Sequence, residues 1–407
     1  MTQAPSRHAV TFVLVAVFLD MVGFGLVIPV LPRLIGEVGQ MGLAQAALIG
    51  GWMFAAFSLA QFACAPLMGN LSDRFGRRPL LLLAIGGLGL DYLFHAFAPS
   101  IGWLFVGRVI AGICGASHVI AAAFLADVTP PEGRARAFGL MGAAFGLGFV
   151  LGPAIGGMLG ELGPRVPFYA AAAISGLNLI YGLIVLPETL PPEKRRPFRL
   201  AQANPFGALR VFLRYRGVVP MAAVLAVYFF GSAVYPAIWA FWGMAKFGWS
   251  ELVVGVTLAG FGLVMAGFQG VLTGPAVRLW GEWRVALAGL VIAALAAVGY
   301  GLAGGLWAVL VLLVIHGPEG FVHPMLTALM SRAVPEDAQG ALQGGLAAAT
   351  NLALLAGTVF FAQVFGYFLS PEAPVTSPDI AFFIAAVVLA GALALFAIAV
   401  PRDIAKE

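Results

Sequence analysis

The chain alternates long apolar segments with short polar connections, and this pattern limits its fold more than any other feature. Twelve apolar segments can be counted in the 407 residues. Each has about 20 residues or more, the length that an α-helix needs to cross the ~30 Å hydrocarbon core of a bilayer. We therefore predict an all-α polytopic membrane protein with twelve transmembrane helices, at roughly residues 9–31, 44–69, 79–98, 101–126, 134–162, 166–187, 218–245, 250–279, 284–304, 306–331, 339–369 and 378–400.

Composition and charge agree with this interpretation. Hydrophobic residues make up 61% of the chain and charged residues only 10%, against about 25% charged in soluble domains. With both termini cytoplasmic, eighteen of the 22 Lys and Arg residues lie on the cytoplasmic side and three on the other. Because such a bias fixes orientation, we predict a multi-pass protein of the cell membrane with both termini cytoplasmic. The net charge of +4 then reflects contact with anionic lipid and not with nucleic acid.

The longest polar stretch separates the sixth apolar segment from the seventh. It divides the chain into two pseudo-symmetric six-helix bundles joined by a cytoplasmic linker, at 1–187, 218–407 and 188–217 respectively. Within the linker, Phe206, Leu209 and Phe212 lie opposite Arg210 and Arg214. This arrangement predicts a basic amphipathic segment on the membrane face.

The connection between segments 2 and 3 combines charge with regularly spaced glycine. It reads Gly69-Asn70-Leu71-Ser72-Asp73-Arg74-Phe75-Gly76-Arg77-Arg78-Pro79, and we expect a tight hairpin loop. Topology alone explains the arginines, but neither Asp73 nor the glycine spacing. The same spacing recurs at Gly274 and Gly281 with inverted charges, which indicates a weak internal repeat.

This loop resembles the connection between helices 2 and 3 of the major facilitator superfamily. The resemblance implies a charge lock that closes the cytoplasmic side in one state. Segment 5 also contains a glycine-dense run, Gly146 to Gly157, that is similar to the GxxxGPxxGG signature of antiporters in that superfamily; close helix packing is a compatible reading. The expected gating residues are Gly69, Asp73, Arg74, Gly76, Arg77, Arg78, Gly152, Pro153 and Gly156.

Charged residues within the apolar segments are costly and are functional hypotheses by default. Asp20, Asp91 and Arg108 lie in segments 1, 3 and 4. A carboxyl group in a desolvated cavity keeps its proton to higher pH, and a nearby arginine opposes this effect. A change in their separation would therefore change proton affinity. A structural hydrogen bond to a neighbouring helix is the alternative role for each carboxylate.

The sequences around these residues resemble tetracycline/proton antiporters of the superfamily, and Gln61 matches a further polar position. The resemblance implies a proton-coupled antiporter that exports small amphipathic, tetracycline-like compounds by alternating access, from a site between the halves. The second half departs from that pattern. Met265 stands where the resembled proteins have a histidine, and Leu295 lies in a segment where they have an aspartate.

Segment 10 contains the polar residues that could replace this missing chemistry. His316, Glu319 and His323 are spaced three and four apart, so on an α-helix they share one face. Glu319 is the fourth predicted proton-coupling residue; a hydrogen-bonded structural cluster and a metal site are the alternatives. Two histidines and one glutamate on one helix make a poor closed metal site, so we expect neither metal nor cofactor.

The predicted substrate site combines polar side chains with aromatic residues of segment 7, which suit a planar amphipathic ligand but equally suit helix packing or a lipid interface. The candidates are Gln61, His95, His118, Tyr235, Trp239, Gln269, His316, His323, Gln343 and Asn351. The alternative function is transport of another organic solute, such as an organic anion or metabolite, with Arg108 anchoring a carboxylate. No nucleophile or oxyanion donor accompanies the polar residues, so an enzyme is not expected. The expected partners are a small-molecule substrate, protons and the bilayer, and the protein is expected to be a monomer.

Overall fold

The computed structural model describes residues 7–115, 117–198, 205–335 and 338–401, and these contain helices but no strand. The prediction of an all-α protein is thus confirmed. The α-helices are α1 Arg7–Val27, α2 Leu31–Gly39, α3 Leu43–Phe75, α4 Arg77–Ala96, α5 Ile101–Cys114, α6 Ser117–Val128, α7 Arg134–Gly160, α8 Val166–Val185, α9 Val211–Arg214, α10 Val219–Ser232, α11 Val234–Phe247, α12 Glu251–Gly267, α13 Thr273–Leu302, α14 Leu306–His316, α15 Val322–Arg332, α16 Gln339–Leu369 and α17 Ile380–Ala399.

Eleven helical stretches in the described ranges are long and apolar enough to cross a membrane. One of them, Glu251–Leu302, has 52 residues, which at 1.5 Å per residue is about 78 Å, more than twice the thickness of a bilayer core. Gly281 interrupts it with a φ of 74° and a ψ of 159°. Two of the predicted crossings therefore lie in this one stretch, and the predicted total of twelve is compatible with the structure.

The residues between segments 2 and 3 were expected to form a loop, but almost all of them are helical. Helix α3 continues to Phe75, and α4 begins at Arg77. The turn is confined to Gly76, whose φ of 104° favours glycine. Gly281 occupies the equivalent place in the second half with a φ of 74°. The repeat detected in the sequence is thus a repeat of backbone geometry.

Three predicted crossings are interrupted helices. Segment 4 consists of α5 and α6, segment 7 of α10 and α11, and segment 10 of α14 and α15 joined by the 3-10 turn Gly317–Phe321. Pro318 lies inside that turn, and because proline lacks an amide hydrogen it cannot continue the α-helical hydrogen bonding. The linker forms a 3-10 turn at Pro205–Arg210 and then α9, so the α-helical part of the predicted amphipathic segment is a single turn.

The chain separates into two compact units. Unit 1 consists of Met1–Met41, Ala56–Pro205 and Ser250–Ala259, and unit 2 of Gly42–Ala55, Phe206–Trp249 and Gly260–Glu407. Within unit 1, α1 packs against α7 and α8, and α4 packs against α5 and α8. Within unit 2, α13 packs against α15 and α17, and α10 packs against α16 and α17.

Glycine brings the backbones of α1 and α7 into direct contact. A Cβ atom on Gly152 would lie 2.7 Å from the Cα of Gly25 and 2.8 Å from the carbonyl oxygen of Val22. A Cβ atom on Gly148 would lie 2.6 Å from the carbonyl oxygen of Phe18. The glycine-dense run of segment 5 therefore provides the close packing of small residues that is typical of membrane helices.

Candidate functional site

Asp20 of α1 is a partly buried carboxylate with neutral hydrogen-bond donors. The Ser117 hydroxyl donates to its Oδ2 and the Asn178 amide donates to its Oδ1, both at 3.4 Å. In the described part of the chain Asp20 takes part in no salt bridge. Its charge, when ionised, is therefore not balanced by a cation.

Asp91 of α4, in contrast, has a cationic partner. The Nη2 of Arg108 donates to Asp91 Oδ2 at 2.7 Å, and Arg108 Nε donates to His95 Nε2 at 3.1 Å. The Nδ1 of His95 lies 2.9 Å from Asp91 Oδ1. Asp91 and His95 are fully buried, and Arg108 is 8% exposed. The three side chains form a closed, charge-balanced triad inside unit 1.

The geometry of the triad identifies the tautomer of His95. Arginine has only donors, so Nε2 of the imidazole must accept the proton from Arg108 Nε and carries none itself. The hydrogen of the imidazole then lies on Nδ1, which is 3.0 Å from the backbone carbonyl oxygen of Asp91 and 2.9 Å from its Oδ1. The ring stacks on Phe168 at 5.2 Å between centroids. Gly107 provides the space, because a Cβ there would lie 2.7 Å from His95 Nδ1 and 2.8 Å from Asp91 Oδ1.

The other two polar candidates of unit 1 lie near the break between α5 and α6. Gln61 donates from Nε2 to the carbonyl oxygen of Gly115 at 3.2 Å. The Nδ1 of His118 lies 3.0 Å from the same oxygen, and the side chain is exposed. Both side chains thus bind the backbone where the helix is interrupted.

In unit 2, Glu319 is a buried carboxylate, 3% exposed, in the 3-10 turn. The hydroxyls of Tyr228 and Ser232 each donate to its Oε1 at 2.8 Å. Its Oε2 contacts His316 Nε2, and apart from this contact neither atom has a hydrogen-bond partner in the described structure. The Nδ1 of His316 lies 3.3 Å from the Tyr300 hydroxyl.

Aromatic rings enclose the Glu319 side of unit 2. The rings of Tyr235 and Phe261 lie 4.8 and 5.3 Å from that of His316. Trp239, which is 5% exposed, packs edge-on against Tyr300 at 5.1 Å. The two aromatic candidates Tyr235 and Trp239 therefore belong to the packed core of unit 2 around His316.

His323 does not join His316 and Glu319, and the prediction that the three share one face is wrong. The segment forms a 3-10 turn and not an α-helix. With three residues per turn, positions i and i+3 eclipse, so His316 and Glu319 align while His323 is rotated away. Its ring is exposed and lies edge-on to Phe229 at 5.6 Å. No group of three or more His, Cys, Asp or Glu residues that could hold a metal occurs in the described ranges.

The remaining polar candidates of unit 2 are exposed. Gln269 lies in the π-helical turn Phe268–Leu272, and a Cβ on Gly320 would lie 3.1 Å from its Nε2. Gln343 and Asn351 both lie on α16. These three side chains are separate from the buried contacts of Glu319.

Arg77 is the centre of a polar cluster, which we call the Arg77 cluster, formed with Ser72, Asp73, Asp127 and Glu188. Arg77 Nη1 lies 2.7 Å from Asp73 and 2.5 Å from the Ser72 hydroxyl, and its Nε lies 3.1 Å from Asp127. Its backbone N–H donates to Glu188 at 2.9 Å. Asp73 and Arg77 are therefore an ion pair four residues apart within unit 1.

The other predicted gating residues of this region have simpler contacts. Arg78 Nη2 donates to the carbonyl oxygen of Leu183 at 2.8 Å, and exposed Arg74 lies over the ring of Phe75. A Cβ on Gly69 would make an ordinary 3.5 Å contact with Val119. The backbone thus requires glycine at Gly76 but not at Gly69.

Sequence reasoning missed several partners of the candidate residues. They are Ser117, Asn178, Tyr228, Ser232, Tyr300, Asp127 and Glu188. Each reaches its partner from a different helix or connection. A usable signal existed for Tyr228 and Ser232, which are four residues apart and therefore share a helix face.

The geometry can now be compared with known proteins. The sequence profile described as Major Facilitator Superfamily matches residues 13–358. The chain belongs to the major facilitator superfamily. It is 40% identical over 363 residues to the class C tetracycline resistance protein of Escherichia coli, covering 88% of this chain and 90% of that one. It is 34% identical over 359 residues to the class B protein of the same organism, covering 88% of each.

Solved structures of other transporters share the fold. The human organic anion transporter MFSD10 matches with a TM-score of 0.70 and 26% identity, covering 97% of this chain and all of that one. A mutant form of the nucleoside transporter NupG matches with a TM-score of 0.79 and 12% identity, covering 97% of this chain and 100% of that chain. The predicted family and the multi-pass membrane fold are therefore confirmed.

Proposed function

We propose that this protein is a proton-coupled antiporter that exports small amphipathic compounds of the tetracycline class by alternating access. The similarity to tetracycline resistance proteins over 88% of the chain supports the substrate class. The observation that carries the proposal is Asp20 in α1, a carboxylate with neutral donors and no cationic partner in the described structure. Such a group changes charge when it takes up or releases a proton, which is what coupling requires.

The Asp91 triad supplies a charge-balanced neighbour in the same unit. Its arginine holds the carboxylate of Asp91 at 2.7 Å, and opposite charges at this distance stabilise each other strongly in a medium of low polarity. We infer that Asp20 binds the exchanged proton while Asp91 and Arg108 set the electrostatic potential around it. Gln61, His95 and His118 are proposed to complete the substrate-facing side of unit 1.

Gating is proposed to depend on the Arg77 cluster and on the glycine contacts of α7. The pairing of Asp73 with Arg77 supports a lock that must break when the cytoplasmic side opens. The contact of Gly152 with α1 supports movement of α1 and α7 as one body. We further propose that the protein is a monomer in a bacterial inner membrane with both termini on the cytoplasmic side.

Proton-driven uptake of tetracycline into everted membrane vesicles tests the proposal. Asp20→Asn should strongly lower uptake driven by a pH gradient but preserve exchange of labelled for unlabelled tetracycline, because exchange needs no net proton movement. Glu132→Gln, at an exposed acid in the 3-10 turn Pro131–Gly133, is the control and should behave as wild type. Normal pH-driven uptake by Asp20→Asn would contradict the assignment.

Transport of an organic anion is the second candidate function, and the likeness to MFSD10 favours it. Arg108 is the side chain that could anchor an anion, yet both of its described contacts are with Asp91 and His95. An anion would have to displace a 2.7 Å ion pair. Competition separates the candidates, since a benzoate or other aromatic carboxylate should inhibit tetracycline uptake only if it uses the same site.

A further inference from the structure

The surroundings of Glu319 have room for a proton but not for a larger cation. Two hydroxyl donors occupy Oε1, the imidazole of His316 contacts Oε2, and the side chain is 4% exposed. Since Oε1 already accepts two hydrogen bonds, the hydrogen shared with the imidazole must lie between Oε2 and Nε2. An ammonium group of a substrate would first have to separate these side chains. The geometry therefore favours a proton as the ligand.

Tyr300 allows the pair to exist in two protonation states without movement of heavy atoms. When one proton is shared between His316 Nε2 and Glu319 Oε2, His316 Nδ1 carries a hydrogen and donates it to the phenolic oxygen. When the pair has lost one proton, Nδ1 carries no hydrogen and accepts the tyrosine hydroxyl, while the hydrogen on Nε2 donates to the carboxylate. A hydroxyl can serve in either direction by rotation of its hydrogen, and the 3.3 Å separation suits both.

The buried charges can be counted in each unit. In unit 1, Asp91 and Arg108 cancel, so the set that also includes Asp20 is neutral when Asp20 holds a proton. In unit 2, the pair of Glu319 and His316 is neutral when it holds one shared proton. Loss of either proton leaves one uncompensated negative charge in a low-dielectric region, which is costly. Each unit thus has one titratable position of the same charge type.

We propose that Glu319 and His316 form a second exchangeable proton site, so that one transport cycle carries two protons, one in each unit. The proposal rests on the proposed function and adds the number of protons to it. For an uncharged or zwitterionic compound, two protons per cycle move two net charges for each molecule exported, whereas one proton would move one. The membrane potential would then contribute to export together with the pH gradient.

The titratable and polar groups that contact Glu319 or its partners come from four helices, and the π-helical turn Phe268–Leu272 adds the uncharged Gln269 beside Gly320. They are Tyr228 and Ser232 from α10, Tyr235 from α11, Tyr300 from α13 and His316 from α14. His323 of α15 is turned away toward Phe229. Tyrosine and serine hydroxyls stay protonated near neutral pH, so His316 and Glu319 are the groups that exchange the proton.

The test measures the proton-to-substrate ratio in proteoliposomes with tetracycline as the probe. At zero membrane potential, the accumulation ratio at which net flux vanishes is recorded for several pH gradients. Each proton contributes about tenfold per pH unit, so wild type should reach about 100-fold and Glu319→Gln about tenfold for one pH unit. Glu372→Gln, an exposed acid of unit 2, is the matched control and should keep the wild-type ratio.

Two further measurements guard against a variant that does not fold. Exchange of labelled for unlabelled tetracycline reports an intact site in Glu319→Gln without net proton movement. Tyr300→Phe keeps the carboxyl group of Glu319 but removes the hydroxyl that can either donate to or accept from His316. It should shift the pH of half-maximal uptake, while the proton-to-substrate ratio stays at two. An unshifted pH profile in Tyr300→Phe would refute the relay role of this tyrosine.

The outcomes separate the two proposals. A wild-type ratio of one proton, equal to that of Glu319→Gln, would overturn the second proton site and leave the antiport function standing. If wild type does not move tetracycline under any pH gradient, the proposed function itself fails, and the proton count fails with it. A ratio that falls equally in Glu372→Gln would also overturn the assignment, because that acid lies outside the buried cluster.

Discussion

Substitution of Gly152 by alanine tests the direct contact between α1 and α7. The added Cβ would lie 2.7 Å from the Cα of Gly25 and 2.8 Å from the carbonyl oxygen of Val22, whereas ordinary van der Waals contact begins at 3.4 Å. The two backbones must therefore separate by about 0.7 Å, and overpacking of this kind costs about 1–3 kcal/mol. Both obstructing atoms belong to the backbone, so no side-chain rotation can relieve the clash.

Gly146→Ala in the same helix is the matched control. No atom lies within 4 Å of a Cβ built on Gly146, and alanine is about 1 kcal/mol more favourable than glycine in a helix interior. We expect this variant to be neutral or slightly stabilised.

Thermal unfolding of the purified protein in detergent measures the difference. A loss of about 2 kcal/mol corresponds to roughly 4–8 °C in a unit of about this size. Equal melting temperatures for Gly152→Ala and Gly146→Ala would refute the direct contact between the backbones of α1 and α7. Because α1 also carries Asp20, the destabilised variant should lose pH-driven tetracycline uptake as well.

Three further predictions concern polar groups of unit 1. Asp73→Asn removes the charge that pairs with Arg77 at 2.7 Å; tetracycline turnover should fall more than affinity, and normal turnover with altered affinity would exclude a gating role. Glu188→Gln replaces a charged but exposed acceptor of the Arg77 backbone N–H; it should lower the free energy of unfolding by about 0.5–1.5 kcal/mol, while the same change at Glu193, which is also exposed, should have no effect. Hydrogen bonds from Ser250 and from the backbone N–H of Leu252 lower the pKa of Glu161, which follows the end of α7. A lowered pKa stabilises the fold above the unfolded-state value near 4.3, and this contribution is lost as the pH falls through the folded-state value. Wild type should therefore lose more thermal stability than Glu161→Gln between pH 6 and pH 3; parallel losses would show that the hydrogen bonds are absent.

Some of these contacts follow from the sequence because a bilayer leaves few alternatives. An aspartate and an arginine in adjacent apolar segments, such as Asp91 and Arg108, are strongly favoured to meet. Periodicity also places His95 one turn beyond Asp91 on the same face. The helix positions follow from segment length, and the family follows from the loop around Gly76.

Other features depend on information that periodicity does not contain. Tyr228 reaches Glu319 across 91 residues of sequence, and a helical pattern defines the face of a residue but not its neighbour on another helix. The prediction that His323 lies on the same face as Glu319 was wrong for a different reason. We assumed 3.6 residues per turn, while Gly317 and Pro318 begin a tighter turn with three.

The 3-10 turn that carries Glu319 is wound more tightly than an α-helix, and this difference affects the direction of the carboxylate. Consecutive residues are about 120° apart around the axis of a 3-10 helix and about 100° apart around that of an α-helix. Over the three steps from His316 to Glu319 the difference is about 60°. If the turn rewound into α-helix, the carboxylate would swing by this angle out of alignment with the imidazole and would leave Tyr228 and Ser232. A small change in winding would thus release Glu319 from all of its partners together, without any displacement of α14.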